Sequence, residues 1–181
     1  MSLAKKYDYY TIDDIYALPD GERAELIDGV IYNMAPPIRR HQKIVGRLHS
    51  TIQNYIDSKG GSCDPYIAPF AVFLNKDNKT YVEPDISVIC DTSKLTDKGC
   101  NGAPDFIIEV VSPSSRNMDY SIKVFKYRSA GVREYWIVDS DKNRITTHNF
   151  ESNSFEEYDF TQSIKVGIFE ELSIDFKQLD F

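Results

Sequence analysis

DFIIEVVSPSSRNMDYSIKVFKYRSAGVREYWIVD, from Asp105 to Asp139, reads as strand, helix and strand. Phe106 to Val111 is an apolar run rich in Ile and Val, the composition of a buried strand, and only Glu109 interrupts it. Ser112-Pro113-Ser114 stops that run and opens a helix, because Ser caps free N–H groups and Pro fits the first turn. Tyr120, Val124 and Tyr127 then recur at helical spacing, and Gly131 supplies the stop. Glu134 to Asp139, EYWIVD, is the second strand. Two strands joined by one helix imply a right-handed parallel crossover packed on a sheet. A carboxylate in a wholly buried strand is expensive, so Glu109 needs either an arginine partner or a metal.

Upstream, Tyr10 to Leu18 reads as a short helix capped by Thr11 and ended by Pro19. RAELIDGVIYNM alternates around Asp28-Gly29, a hairpin signature that puts Glu25 on the first strand or at its edge. Ile44, Val45, Leu48, Ile52, Tyr55 and Ile56 mark an amphipathic helix that ends at Lys59-Gly60-Gly61 and carries His41 in its first turn. Tyr66 to Leu74 and Tyr81 to Cys90 follow as strands, the second with Pro84 at a bulge or edge, and Thr92 to Ala103 as a polar loop. Beyond Asp139, Arg144 to Phe150 and Ser154 to Phe160 read as strands, while Ile164 to Phe181 mixes apolar and acidic residues and supports no assignment. The expected class is α/β (α+β), a mixed central sheet flanked by helices, with an added N-terminal hairpin and C-terminal strands.

Bulk properties set limits. The 181 residues fit one domain large enough for a real core. A net charge of -7 argues against a dedicated DNA-binding domain, although a carboxylate-rich metal site would itself add negative charge. Cys63, Cys90 and Cys100 are odd in number and lack a C-x-x-C pair, which points to a reducing compartment with neither zinc nor a disulfide. MSLAKKYDYYT lacks the apolar core of a signal peptide and no run is long enough to span a bilayer, so the expected location is cytoplasmic, away from membranes.

Chemistry would rest on three acids in strands or at strand ends, Glu25, Asp85 and Glu109. Two carboxylates on neighbouring strands suit a hard cation with oxygen ligands. Alternatively, each pairs with an arginine such as Arg116, Arg128 or Arg133 or caps a backbone group. Asp119 and Lys123 lie i, i+4 on one helix face, and Lys123 leans back toward the strand that bears Glu109. By spacing alone they form an exposed ion pair, worth about 0.3–0.5 kcal/mol.

The succession Glu83-Pro84-Asp85-Ile86, then Pro104 through Ser115, then Asp119, Lys123, Tyr127 and Gly131 through Asp139 resembles the Uma-type restriction endonuclease family. Glu25-Leu26-Ile27-Asp28-Gly29, Met34-Ala35-Pro36 and His41 share that resemblance, which covers residues 10 to 140. The family consists of bacterial single-domain proteins of the PD-(D/E)XK nuclease superfamily. The resemblance implies one nuclease-like domain over residues 1–181 with a restriction endonuclease-like core. It further implies a metal-dependent endonuclease acting on phosphodiester bonds, with Mg²⁺ or Mn²⁺ as cofactor and DNA as the expected substrate. Asp85 and Glu109 would be the metal-binding acids, with the Val110 carbonyl a third ligand. The superfamily's lysine falls at Val111 here, and the resemblance moves its role to Lys123. Glu25 would be an additional acid, and His41 and Asp119 peripheral groups. The alternative is an inactive nuclease fold that binds nucleic acid or protein.

A homodimer through the β-rich C-terminal part would suit double-strand cutting. Recognition would fall to Arg39-Arg40 with Lys43 and Arg47, or to Lys123-Lys126-Arg128.

Overall fold

Leu26 exchanges two backbone hydrogen bonds of 2.7 Å with Tyr81, and this link ties an N-terminal hairpin to the segment that leads into the central sheet. The structure is a computed structural model describing residues 9–179. Residues 1–8, part of the stretch read for a signal peptide, and the last two residues lie outside the described residues. Helix α1 (Ile12–Tyr16) begins at Thr11, whose N–H donates to the Asp14 carboxylate at 2.7 Å. The hairpin pairs β1 (Ala24–Ile27) with β2 (Val30–Asn33) through Asp28 and Gly29, both at positive φ, 52° and 79°. That is the twist-matched two-residue turn which Asp-Gly favours.

Helix α2 (Arg39–Lys59) buries Ile44, Val45, Leu48, Ile52 and Ile56 and ends at Gly60 in the left-handed conformation. β3 (Asp64–Ile67) and β4 (Val72–Phe73) replace the single strand expected over Tyr66 to Leu74. The chain breaks between them at the cis Ala68–Pro69 peptide, where proline cannot donate to a ladder. β5 (Ile86–Ile89) begins after Pro84-Asp85, shorter than expected, while Tyr81 and Val82 upstream pair as isolated bridges. The expected loop Thr92 to Ala103 instead holds β6 (Leu95–Thr96) and β7 (Gly99–Asn101), which make a small sheet with β4. Gly99, at φ 134°, permits this because a Cβ there would come within 2.2 Å of the Ala71 carbonyl.

The focal unit follows: β8 (Phe106–Val110), a π-helical turn at Met118–Ile122, α3 (Lys123–Ala130) and β9 (Glu134–Asp139). The helix therefore begins later than Ser112-Pro113-Ser114 suggests. β8 and β9 are parallel, Phe106 beside Glu134 and Val110 beside Val138. β10 (Arg144–Asn149) and β11 (Ser154–Tyr158) extend the sheet, giving the mixed order β11-β10-β9-β8-β5-β3. The unassigned tail forms a second hairpin, β12 (Ser163–Lys165) and β13 (Ser173–Asp175).

Strand alternation divides the core. Phe106, Ile108, Val110, Trp136 and Val138 pack with α2 and with Ile164, Ile174 and Phe176 of the tail. Ile107, Tyr135 and Ile137 pack on the opposite side with Tyr127 of α3 and with Val111. Glu109 shares the parity of Ile107, so its side chain emerges on the α3 side.

The cysteine reading is corrected. Cys63 and Cys90 form a disulfide and Cys100 remains a free, buried thiol. Their separation of 27 residues gave no hint of it, but the β3–β5 register places Asp64 opposite Ile89, so the residues flanking them face each other.

Two outcomes test this architecture. Gly29→Ala puts a side chain at positive φ against the Tyr9 ring, and should lower the unfolding free energy by about 1–2 kcal/mol or more, read as a lower urea midpoint at unchanged m-value. Burial pushes the Cys100 thiol up to about 11. At pH 8 about a thousandth would be thiolate, so native protein should resist iodoacetamide, while denatured protein should be alkylated at Cys100 within minutes.

Candidate active site

Strand β8 supplies Glu109, and the turn of chain above it supplies the cation. In the π-helical turn Met118–Ile122 a wider backbone loop turns both Asp119 and Lys123 toward the sheet. The Lys123 Nζ donates to Glu109 Oε1 at 2.8 Å and meets Glu25 Oε2 at 2.8 Å and Asp119 Oδ1 at 3.7 Å. Lys123 is 4% exposed and Asp119 1%. The surface ion pair expected from their spacing is thus a buried cluster, because the helix lies over the sheet with this face inward.

Glu25 reaches the cluster from β1, and its Oε1 accepts the Glu83 N–H at 3.0 Å. Asp85 lies just before β5, next to Glu109 on the neighbouring strand. The Val110 N–H donates to Asp85 Oδ2 at 2.8 Å, and the Asp85 N–H reaches Glu109 Oε2 at 3.4 Å. His41 comes from the first turn of α2 and places Nε2 3.1 Å from Asp85 Oδ2. Glu25, Asp85, Glu109, Lys123, Asp119 and His41 are therefore brought together. Val111, at the superfamily's lysine position, is 5% exposed and packs in the apolar layer under α3.

The alternative arginine partners are engaged elsewhere. Arg116 grips Asp139 and Asp141, Arg133 meets Asp105 and Glu151, and Arg128 donates to Asn153. Of the basic clusters, Lys123-Lys126-Arg128 is dispersed: Lys123 is buried and Lys126 is paired with Asp28.

Sequence reasoning missed two parts of the site. Tyr127 counts in the sequence as one of an apolar stripe, yet its hydroxyl donates to Glu109 Oε1 at 2.8 Å. Its i+4 spacing from Lys123 was the available signal. Arg23 and Glu83 were also overlooked. Arg23 Nε donates to Glu83 Oε2 at 2.9 Å, and the Tyr81 hydroxyl donates to Glu83 Oε1 at 2.5 Å.

Electrostatics follow from burial. Desolvation pushes the Glu109 carboxyl up, to about 8, against the pull of Lys123. Burial likewise raises Asp119 to about 6, again opposed by Lys123. Burial also works against the Lys123 ammonium, but Glu109, Glu25 and Asp119 outweigh it and hold its pKa well above the usual lysine value. Lys123 is therefore a fixed positive charge. His41 is raised: burial lowers it, but the Asp85 carboxylate and the Val110 main chain prevail.

Among the described residues, no three His, Cys, Asp or Glu side chains form a ready metal cluster. The donor set nevertheless suits a hard cation. Glu25, Asp85, Glu109 and Asp119 bring four carboxyl groups to a single ammonium, and Asp119 Oδ1 is buried with no hydrogen-bond partner.

No described helix is long and apolar enough to cross a membrane. An uncharacterised protein of Synechocystis sp. is 29% identical over 130 residues, 71% of this chain, and the match spans 66% of that protein's length. The crystal structure of a putative nuclease from Anabaena variabilis shares the fold at a TM-score of 0.76 and 21% identity, covering 93% of this chain and 96% of that one. The architecture is accordingly restriction endonuclease-like. The Uma2 family model, described as "Putative restriction endonuclease", matches residues 8–177, the span that contains every element of the site, and the chain belongs to that family.

Proposed function

We propose that the protein is a metal-dependent endonuclease that hydrolyses phosphodiester bonds, with DNA as its substrate and residues 1–181 acting as one nuclease-like unit. The observation that carries this reading is the convergence of Asp85, Glu109 and Glu25 beside one buried lysine at the ends of paired strands. Structural ion pairs would need charge balance; this group has an excess of oxygen donors instead.

Asp85, Glu109 and the Val110 carbonyl would hold Mg²⁺ or Mn²⁺. When bound, such an ion offers Lewis acidity to a phosphoryl oxygen and lowers the pKa of a coordinated water. The chain's own groups do the rest. The Val110 N–H and His41 fix the Asp85 carboxylate, and the Asp85 N–H leans on Glu109 Oε2. Glu25 and Glu109 keep Lys123 protonated, so Lys123 does not take a proton from water. From the floor of the site its ammonium would orient the attacking water or stabilise charge growing on a seated phosphate, although at 4% exposure it offers an approaching strand no surface contact. Tyr127 and Lys123 both bind Glu109 Oε1, which fixes the carboxylate's rotation.

On supercoiled, linear and single-stranded substrates with Mg²⁺ or Mn²⁺, wild type should cut, and Asp85→Ala or Glu109→Ala should lose activity on the order of 100-fold or more. A folded wild type that cuts none of them defeats the enzyme reading and favours the inactive binding module. A second measurement needs no turnover. Mn²⁺ should raise the Tm of wild type by mass action, and Asp85→Asn should abolish that shift. Lys123→Met leaves Glu25 and Glu109 buried without their cation, and should cost about 3–5 kcal/mol in denaturant unfolding.

A further inference from the structure

Arg23 lies beside the acid cluster but outside its core, and it opens onto a cavity of about 400 Å³ between the β1–β2 hairpin and the linker to α2. Arg23, Glu22 and Asn33 make the polar part of its wall, and Met34, Pro36 and Pro37 the apolar part. We propose that this cavity binds a backbone phosphate of the polynucleotide next to the one that is cut, with Arg23 as its ligand. The inference rests on the nuclease reading above.

Three observations lead there. First, the guanidinium is held on one edge. Nε donates to Glu83 Oε2 at 2.9 Å and Nη2 donates to the same oxygen, while Tyr81 secures Glu83 Oε1 from the other side. The Glu83 side chain is 10% exposed and that of Arg23 36%, so a buried carboxylate holds one edge of a partly exposed guanidinium, in a residue that lines the cavity. A planar fork fixed on one edge and open on the other suits a phosphate, whose oxygens accept paired N–H groups.

Second, its position matches the site. The Met34 N–H donates to the Arg23 carbonyl at 2.8 Å, which continues the hairpin ladder one step beyond the Ala24–Asn33 pair. Arg23 and Glu25 are therefore same-face neighbours along one strand, roughly 7 Å apart. That is comparable to the separation of successive phosphates along a nucleic-acid strand. Glu83 joins the two, because its carboxylate holds Arg23 and its N–H holds Glu25.

Third, the site needs a cation at its rim. Glu25, Asp85, Glu109 and Asp119 repel a polyanion, and Lys123 is enclosed at 4% exposure. A chain with a net charge of -7 does not attract nucleic acid by its overall field.

The test is binding rather than cleavage. Fluorescent DNA and RNA oligonucleotides, single- and double-stranded, are titrated with the full chain in Ca²⁺ over a salt series. The double variant Arg23→Gln/Glu83→Gln removes both charges, so no buried carboxylate is left unpaired. It should keep the wild-type unfolding midpoint within a few degrees, bind about 10-fold more weakly, and reduce the slope of log K against log salt by about one. Arg23→Lys, which keeps the charge but loses the fork, should retain the slope and still lose affinity. A folded double variant with wild-type affinity and slope overturns the inference, and metal-dependent cutting by wild type then leaves the nuclease reading intact. A wild type that neither binds nor cuts any of these polynucleotides overturns both.

Discussion

The Lys123 ammonium, enclosed with Glu25, Glu109 and Asp119, is the constraint on which the rest depends. An isolated lysine in that place would cost several kcal/mol, so the fold has to deliver carboxylates from separate parts of the chain. Glu25 arrives only because Leu26 is bonded to Tyr81, which locks the hairpin beside the segment leading to Asp85. Asp119 and Lys123 arrive together because they lie i, i+4 on the inward face of the chain that winds through the π turn at Met118–Ile122. The hairpin, the crossover helix and two sheet strands are thereby coupled through one charge. Loosening any of them would expose or unbalance the cluster.

Much of this was legible in the sequence. The crossover unit was plain because Ile and Val runs mark its strands and Gly131 its helix end, and β9 begins and ends where EYWIVD does, whereas Ser112-Pro113-Ser114 stops the strand without starting the helix, which follows with the π turn at Met118–Ile122. The Asp28-Gly29 hairpin and α2 follow from local turn chemistry and a strong helical period. What could not be read depends on non-local pairing. The strands β6 and β7 are two and three residues long and owe their existence to β4, not to propensity. The Cys63–Cys90 disulfide needs the β3–β5 register, which no spacing rule supplies. The tail hairpin does alternate, Ile164 and Val166 on one arm and Leu172, Ile174 and Phe176 on the other, but its strands are only three residues long, too short for that period to stand out among the acidic residues between them.

The candidate site divides in the same way. Strand acids stand out in sequence because charge in an apolar run is anomalous, so Glu109 and Asp85 were visible as individuals. Lys123 was not, since an i, i+4 pair on a helix has the same sequence signature whether it faces water or a sheet. Tyr127 was hidden because an aromatic ring meets the demands of an apolar stripe while its hydroxyl does something else.

Under the proposed nuclease reading, geometry allows Lys123 on the helix to take the place of the superfamily's strand lysine. Residues 109 and 111 share one face of β8, so a lysine at 111 would approach Glu109 from the side on which α3 lies. Here Val111 fills that place within the apolar layer formed with Ile107 and Tyr127. The cation descends to the same face from the helix above and meets Glu109 Oε1 at 2.8 Å. The two routes are not equal in consequence. A strand lysine is positioned by the sheet alone, whereas Lys123 is positioned by how α3 sits on the sheet. Tyr127, one turn further along α3, donates to that same Oε1 and so fastens the helix at the point where its lysine meets the sheet. With Oε1 taken by two donors, Oε2 is left with one long contact to the Asp85 N–H, 3.4 Å. The moved lysine and its tyrosine therefore leave the second oxygen of Glu109 as the less committed one, on the side shared with Asp85.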